Sequence, residues 1–434
     1  MTETRIENDT DFDAVDFFTS PTFVPDPHPY FDYLRRQGPV VREPHHGVVA
    51  VTGYLDTLEV FKDASLWSNC VAVGGPFPPL PFTPEGDDIR AQIDAHRTQM
   101  PLYEHMVAMD PPNHTRARSL LSKLLTPSRL KANQDFLWEL ADAQLDEFVD
   151  AARPDGECEF LTAYSKPFSL LAIADLLGVP REDHKEFRDA LANPHLMGNI
   201  EGEGAAINPL EFLDEKFSAY IEDRRAQPRD DVLSELANAT YPDGSQPAVT
   251  DVVRTASFLF GAGQETTAKL LGAAMKILCE RPELQHALRE DPALVPTFIE
   301  ETLRMESPVK TEFRLAVRST ELAGVKIPAG TTVMVSAAAA NRDPDRFECP
   351  HEFRLDRKNV REQIAFARGA HSCPGAPLAR VEGRVSLERI LARMSDIRVD
   401  ERFHGSADNP EFTYEPTYIL RGLTELHLRF TPMG

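Results

Sequence analysis

The chain has 434 residues, 42% hydrophobic and 26% charged, with a formal net charge of −23; this is globular composition with core enough to enclose a ligand, and its acidity excludes nucleic acid, whose phosphates need a basic surface. No run of about 18 apolar residues is present to span a bilayer, and the polar start MTETRIENDT lacks the apolar stretch of a secretory signal. Five scattered cysteines without a C-x-x-C pair argue against a disulfide framework or a structural zinc site and for a reducing, cytoplasmic compartment.

Residues 1–20 read as a mobile acidic leader. Residues 21–434 read as one domain, because no repeat and no linker divides them. The pattern after Pro27 is helical up to Gly38, and VVREPHHGVVAV then reads as a hairpin. Residues 71–86, VAVGGPFPPLPFTPEG, hold too much proline and glycine for regular structure. A long apolar loop of this kind is usually functional. From about residue 114 to 305 the periodicity is mostly helical, broken by ANPHLMGN and YPDGSQ. Strand signals return in LAGVKIPAGTTVMVS and TYILRGLTELHLRF. The class is mainly α with small β-sheets.

One helix stands out. Thr250 fits an N-cap and Pro282 a stop. Between them lie roughly 30 residues, on the order of 45 Å of helix. Its middle, FLFGAGQETTAKLLG, carries Gly261 and Gly263, where a close approach to the backbone is expected. Ala262 and Thr266, like Gly263 and Thr267, share a face. A plain helix crossing, with Thr266 bonded back to its own turn, explains this pattern equally well.

FARGAHSCPGAPLAR, residues 366–380, places Cys373 in a glycine- and proline-rich loop before a helix. A catalytic nucleophile would want a base brought by the fold, and His371 is only two residues away. Zinc would need ligands that no second cluster offers. An axial thiolate on haem iron needs one cysteine, and the following helix N-terminus favours the negative sulfur.

The stretch resembles the haem-binding loop of the cytochrome P-450 family at Phe366, Gly369, His371, Cys373, Gly375, Leu378, Ala379 and Arg380, with Ala367 where the family has glycine. Other motifs carry the likeness from about residue 27 to the end. Glu301-x-x-Arg304 is similar to the family's E-x-x-R element, with Arg357 as third member; taken alone it reads as a surface pair. His114 and Arg118 in DPPNHTRAR, Arg314 and His371 match propionate contacts of haem b, and Phe366 and Gly375 shape its loop. Ala262 to Thr267 resemble the oxygen-activating motif, with Thr266 and Glu265 as proton-delivering pair.

The resemblance implies the triangular, mainly α architecture of that family. It implies a monomeric monooxygenase that inserts one atom of dioxygen into a hydrophobic small molecule such as a terpenoid or steroid. The alternatives are a peroxide-driven or non-oxygenating haem-thiolate enzyme, or a haem sensor or carrier. No flavin or nucleotide fingerprint and no iron–sulfur cluster is present, so the electron source is external; the resemblance implies NAD(P)H with a ferredoxin and its reductase. Arg116, Arg118, Lys123, Arg129 and Lys131 lie in an acid-free stretch suited to an acidic ferredoxin, or else solvate a helix face. By resemblance, the substrate pocket takes Phe77 and Phe82 from the first loop, residues 190–215, Leu259, Ala262, Gly263 and Thr267, and Ile419 and Leu420 near the C-terminus. Such a lining selects a neutral skeleton; the competing reading is a carboxylate anchored by Lys310.

Overall fold

The computed structural model describes residues 11–149, 156–191, 198–200, 210–406 and 409–433, with the side chains of Ser122 and Lys123 also left aside. In the N-terminal third, α1 (His28–Gln37) leads into the hairpin of β1 (Val40–Arg42) and β2 (Val49–Val51), followed by α2 (Tyr54–Lys62), β3 (Trp67–Ser68) and α3 (Arg90–His96). The loop between β3 and α3 is irregular, as its prolines require.

The helical body comprises α4 (Asn113–Leu124), α5 (Pro127–Val149), the short strand β4 (Gly156–Glu159), α6 (Lys166–Leu177), α7 (His184–Ala190), α8 (Glu211–Ala226), α9 (Val232–Ala237) and α10 (Val249–Glu280). It continues through α11 (Pro282–Glu290) and α12 (Val295–Met305). The C-terminal third holds β5 (Glu312–Ala316), β6 (Thr320–Leu322), β7 (Val325–Ile327), β8 (Thr332–Val335), α13 (Ala337–Ala340), α14 (Ala376–Arg393), β9 (Met394–Val399), α15 (Glu401–His404) and β10 (His427–Pro432).

The long helix begins at Val249 with Ala248 as cap, not Thr250, and runs 32 residues until Pro282 opens the next helix. Its apolar sides are covered by α6, α8 and α14, and the main core gathers there, around Phe168, Phe217, Phe260, Leu271, Met275 and Ile390. One sheet has strand order β1-β2-β8-β5-β3, parallel only between β2 and β8, and another has β4-β10-β9. The first sheet places Arg314 of β5 opposite Val333 of β8.

The second half of the expected leader is not mobile. Phe17 and Phe18 are 3% and 1% exposed and pack with Phe23, Tyr30 and Phe31. Burial of that much ring surface ties residues 11–20 to the domain, and residues 1–10 lie outside the described part.

Candidate functional site

Four segments distant in sequence meet beside α10. The loop before α14 supplies Cys373, whose N–H donates to Phe366 O at 2.8 Å. Gly369 is required here: its φ is +74°, and a Cβ would stand 2.2 Å from Phe61 O at the end of α2. Ala367 takes the same left-handed backbone, at φ 54°, without that licence. Gly375 is the N-cap of α14, and the Phe366 ring lies under Arg380 at 4.7 Å. Cys373 is exposed, and its neighbours His371 and Pro374 line a cavity of about 450 Å³. Dense protein around it still pushes the thiol pKa up by burial, opposed by the N–H groups of Gly375 and Ala376 and by Arg118. A metal taking the proton's place would use the same donors to hold the thiolate.

His114, Arg118 and His371 line the same cavity, while the predicted partner Arg314 is not on its wall. His114 and His371 stack with centroids 3.8 Å apart. Both ring nitrogens of His114 and Nε2 of His371 are buried with no hydrogen-bond partner. Burial pushes the His114 pKa down to about 4, helped by Arg118; His371 falls to about 2 through burial and then Arg314. Arg118 Nη2 donates to Ser372 O at 2.6 Å, and Arg314, 3% exposed, is paired with Glu312 at 3.0 Å. Unpartnered buried donors beside two guanidiniums are costly unless an anion occupies the space. The carboxylates of a large flat cofactor ligated by Cys373 fit that requirement.

Behind the loop, the expected network is formed. Glu301 is fully buried and accepts from Arg304 Nε and Nη2, both at 2.8 Å, and from Arg357 Nε at 3.0 and 3.1 Å. The two guanidiniums also donate to the carbonyls of Asn341, Glu348, Cys349, Pro350 and Glu352. It is thus no surface pair.

On α10 the wall of the cavity is made by Phe258, Gly261, Ala262, Glu265, Thr266 and Lys269. The Thr266 hydroxyl donates to Ala262 O at 2.9 Å, the bond to its own turn. Thr267, Gly263 and Leu259 are corrections, each lying about 100° further round the helix from a lining residue. Thr267 bonds Glu382 of α14, Gly263 meets Ile173 of α6, and Leu259 joins the core. The glycine at 263 thus serves helix packing. Phe77 and Phe82 do not line the cavity either: Phe77 packs on Phe18, His46 and Tyr418, and Phe82 on His96. Ala72 and Val73 represent that loop instead, joined by Leu102 from the segment after α3. Ala262, Ile419 and Leu420 line it as expected, and so do Leu191, Leu210 and Leu213; much of 190–215 lies outside the described residues.

Charged residues that the sequence does not single out also face this space: Lys166, Arg188, Lys269, Glu312 and Glu415. Lys269 was readable as an i, i+4 partner of Glu265; Glu415 had no local signal. Lys310, in contrast, is buried away from the cavity wall, and burial pushes its pKa down to about 7.

Comparison with known proteins agrees with this geometry. The family model for cytochrome P450 matches residues 203–397. The cytochrome P450 monooxygenase PikC of Streptomyces venezuelae is 32% identical over 94% of this chain and 92% of its own. The vitamin D(3) 25-hydroxylase of Pseudonocardia autotrophica is 32% identical over 95% of this chain and 96% of its own. The substrate-free structure of Mycobacterium marinum cytochrome P450 CYP150A6 is 65% identical, with a TM-score of 0.91, covering 98% of this chain and all of that one. The chain belongs to the cytochrome P450 family. It is a haem-dependent monooxygenase with the mainly helical fold of that family. Among the described residues no helix is long and apolar enough to cross a membrane.

Proposed function

We propose that this monooxygenase hydroxylates a neutral hydrophobic skeleton of the terpenoid or steroid class, as a cytoplasmic monomer fed by a ferredoxin and its NAD(P)H-dependent reductase. Cys373 would hold haem b through its thiolate, His114, Arg118, Arg314 and His371 would take its propionates, and Phe366 and Gly375 would shape the loop. Glu301, Arg304 and Arg357 fix the segment behind that loop. Haem, when bound, supplies dioxygen activation and oxygen insertion into a C–H bond. Glu265 and Thr266 deliver the protons this consumes, from the cavity face of α10.

The carrying observation is the convergence on one cavity of the Cys373 loop, the unpartnered His114 and His371 nitrogens and the Glu265–Thr266 pair. That acid–alcohol pair supports dioxygen chemistry over a peroxide-driven or merely haem-carrying role. The substrate class rests on an apolar wall including Val73, Leu170, Phe258, Val309, Ile419 and Leu420. Each buried methylene there is worth about 0.8 kcal/mol. Besides His114, Arg118 and His371, the cations lining the cavity are Lys269, already paired with Glu265 and Glu415, half-buried Lys166 and exposed Arg188; Lys310 is off the wall. A relative named for acting on vitamin D(3) is in keeping with this class. For the ferredoxin, the support is Arg116 and Lys131, exposed on α4 and α5. Arg116 also meets Asp243, 3.8 Å away, and Arg129 pairs with Glu235, so the basic stretch is partly neutralised by acids from elsewhere in the fold.

The test is a panel of neutral terpenoids and steroids with matched carboxylates, ranked by the Soret shift and then turned over with NAD(P)H, ferredoxin and reductase. Neutral ligands should bind and be hydroxylated. In Thr266→Ala the shift should persist while reducing equivalents go to hydrogen peroxide. Binding of carboxylates alone overturns the substrate class, and unchanged coupling in the variant overturns the proton role.

A further inference from the structure

Lys269 lies one turn beyond Glu265 on the cavity face of α10. Its Nζ is 2.9 Å from Glu265 Oε1 and 2.5 Å from Glu415 Oε2, and its side chain is 5% exposed. Glu415 comes from the far end of the sequence. It begins a turn closed by pairing of Tyr414 with Leu423 and by the Glu415 N–H donating to Gly422 O at 3.0 Å. The same turn carries Ile419 and Leu420, which line the cavity. It lies flat against the lysine: a Cβ on Gly422 would stand 2.6 Å from Lys269 Cγ and 3.0 Å from Cδ and Cε. The lysine is therefore held along its stem by the turn and at its tip by two carboxylates. A buried ammonium keeps such partners close, because leaving it alone is costly. Thr266 does not compete for Glu265, since its hydroxyl is spent on Ala262 O.

We infer that Lys269 is a positioning residue for oxygen activation: it pins the Glu265 carboxylate at the cavity wall, while Glu415 and Gly422 pin Lys269. The substrate-lining turn of residues 414–423 is thereby joined to the proton donor through one side chain. This rests on the reading of Glu265 as proton donor, and the test separates the two.

Lys269→Met/Glu415→Gln removes one positive and one negative charge together, so the net charge of the cluster is unchanged. The holoenzyme is turned over with dioxygen as the only acceptor and NADPH, ferredoxin and reductase as electron source. Dioxygen that takes two electrons leaves as peroxide, and dioxygen that takes four leaves as water. Peroxide formed per NADPH consumed should rise about threefold in this variant and at least as much in Glu265→Gln. Adding Glu265→Gln to the double variant should raise it no further than Glu265→Gln alone, the mark of action through one residue. A crystal structure of the double variant should show the Glu265 carboxylate displaced from its wild-type position, a readout independent of turnover. A wild-type peroxide share with Glu265 unmoved overturns this inference while Glu265→Gln still raises the share. No effect of Glu265→Gln overturns the proton-donor reading itself. Should the double variant lose haem, Gly422→Ala crowds the lysine stem without altering charge: a raised peroxide share with Glu265 displaced supports the inference, and a wild-type share with Glu265 unmoved overturns it.

Discussion

The Thr267 hydroxyl donates to Glu382 Oε2 at 2.9 Å, joining the long helix α10 to α14, the helix that leaves the cysteine loop. Glu382 is 2% exposed, and burial pushes its carboxyl up to about 8 against an ordinary value of 4.5. The folded protein keeps a proton there that the unfolded chain releases. The stability this contributes is complete below about pH 4.5 and is lost as pH rises towards about 8. Each pH unit in that window costs about 1.4 kcal/mol. Glu382→Gln should therefore flatten the fall of Tm between those limits, and a slope identical to wild type would contradict the assignment.

Glu301 accepts from two buried guanidiniums. Glu301→Ala leaves both unpaired and should cost about 3–5 kcal/mol. Haem content after purification and the urea midpoint report this; a loss below about 1 kcal/mol would mean that the carbonyl contacts alone satisfy the arginines.

Ala367 sits at φ 54° with a Cβ that disfavours it. Ala367→Gly should raise stability by about 1 kcal/mol. Gly369→Ala should lower stability and haem retention, because its Cβ would meet Phe61 O. Thermal melts of the two holo variants should move in opposite directions.

Cys373→Ala should abolish the carbon monoxide difference band typical of thiolate ligation. Retention of that band would assign the ligand elsewhere.

Lys131→Glu should slow reduction by an acidic ferredoxin several-fold at low salt and little at high salt, since screening shortens the reach of surface charge. Stopped-flow reduction across ionic strength checks this. A salt-independent defect would indicate local misfolding of α5.

Much of the site was legible because its signals are local. The Cys373 loop, Glu301-x-x-Arg304 and the Ala262–Thr266 spacing each lie within a few residues, though the last two read alone as a surface pair and a plain helix crossing and were singled out only by the family resemblance. The pocket wall was less so. Phe77 and Phe82 stand in a suitable apolar loop, but the ring each one packs on, Tyr418 or His96, is chosen by the folded arrangement. Thr267 and Gly263 differ from their lining neighbours by one step of helix phase, which no string of small residues reveals. Phe17 and Phe18 stand among acidic residues that suggest a leader, although aromatic rings beside a core outweigh a few flanking charges. Glu415 reaches Lys269 only once the chain's last turn has folded onto α10.

Arg304 and Arg357 between them donate to the carbonyls of Asn341, Glu348, Cys349, Pro350 and Glu352. Every amino acid brings the same carbonyl, so the exposed side chains of Glu348, Cys349 and Glu352 are free to vary without disturbing the hub, whereas buried Asn341, Asp343 and Phe347 hold side-chain contacts of their own. The length of this irregular stretch is not free. One residue inserted or deleted between 341 and 352 would turn oxygens away from the guanidiniums, and nothing in a strand or helix would restore the register. At its exposed positions the segment is tolerant of spelling, and throughout it is intolerant of counting.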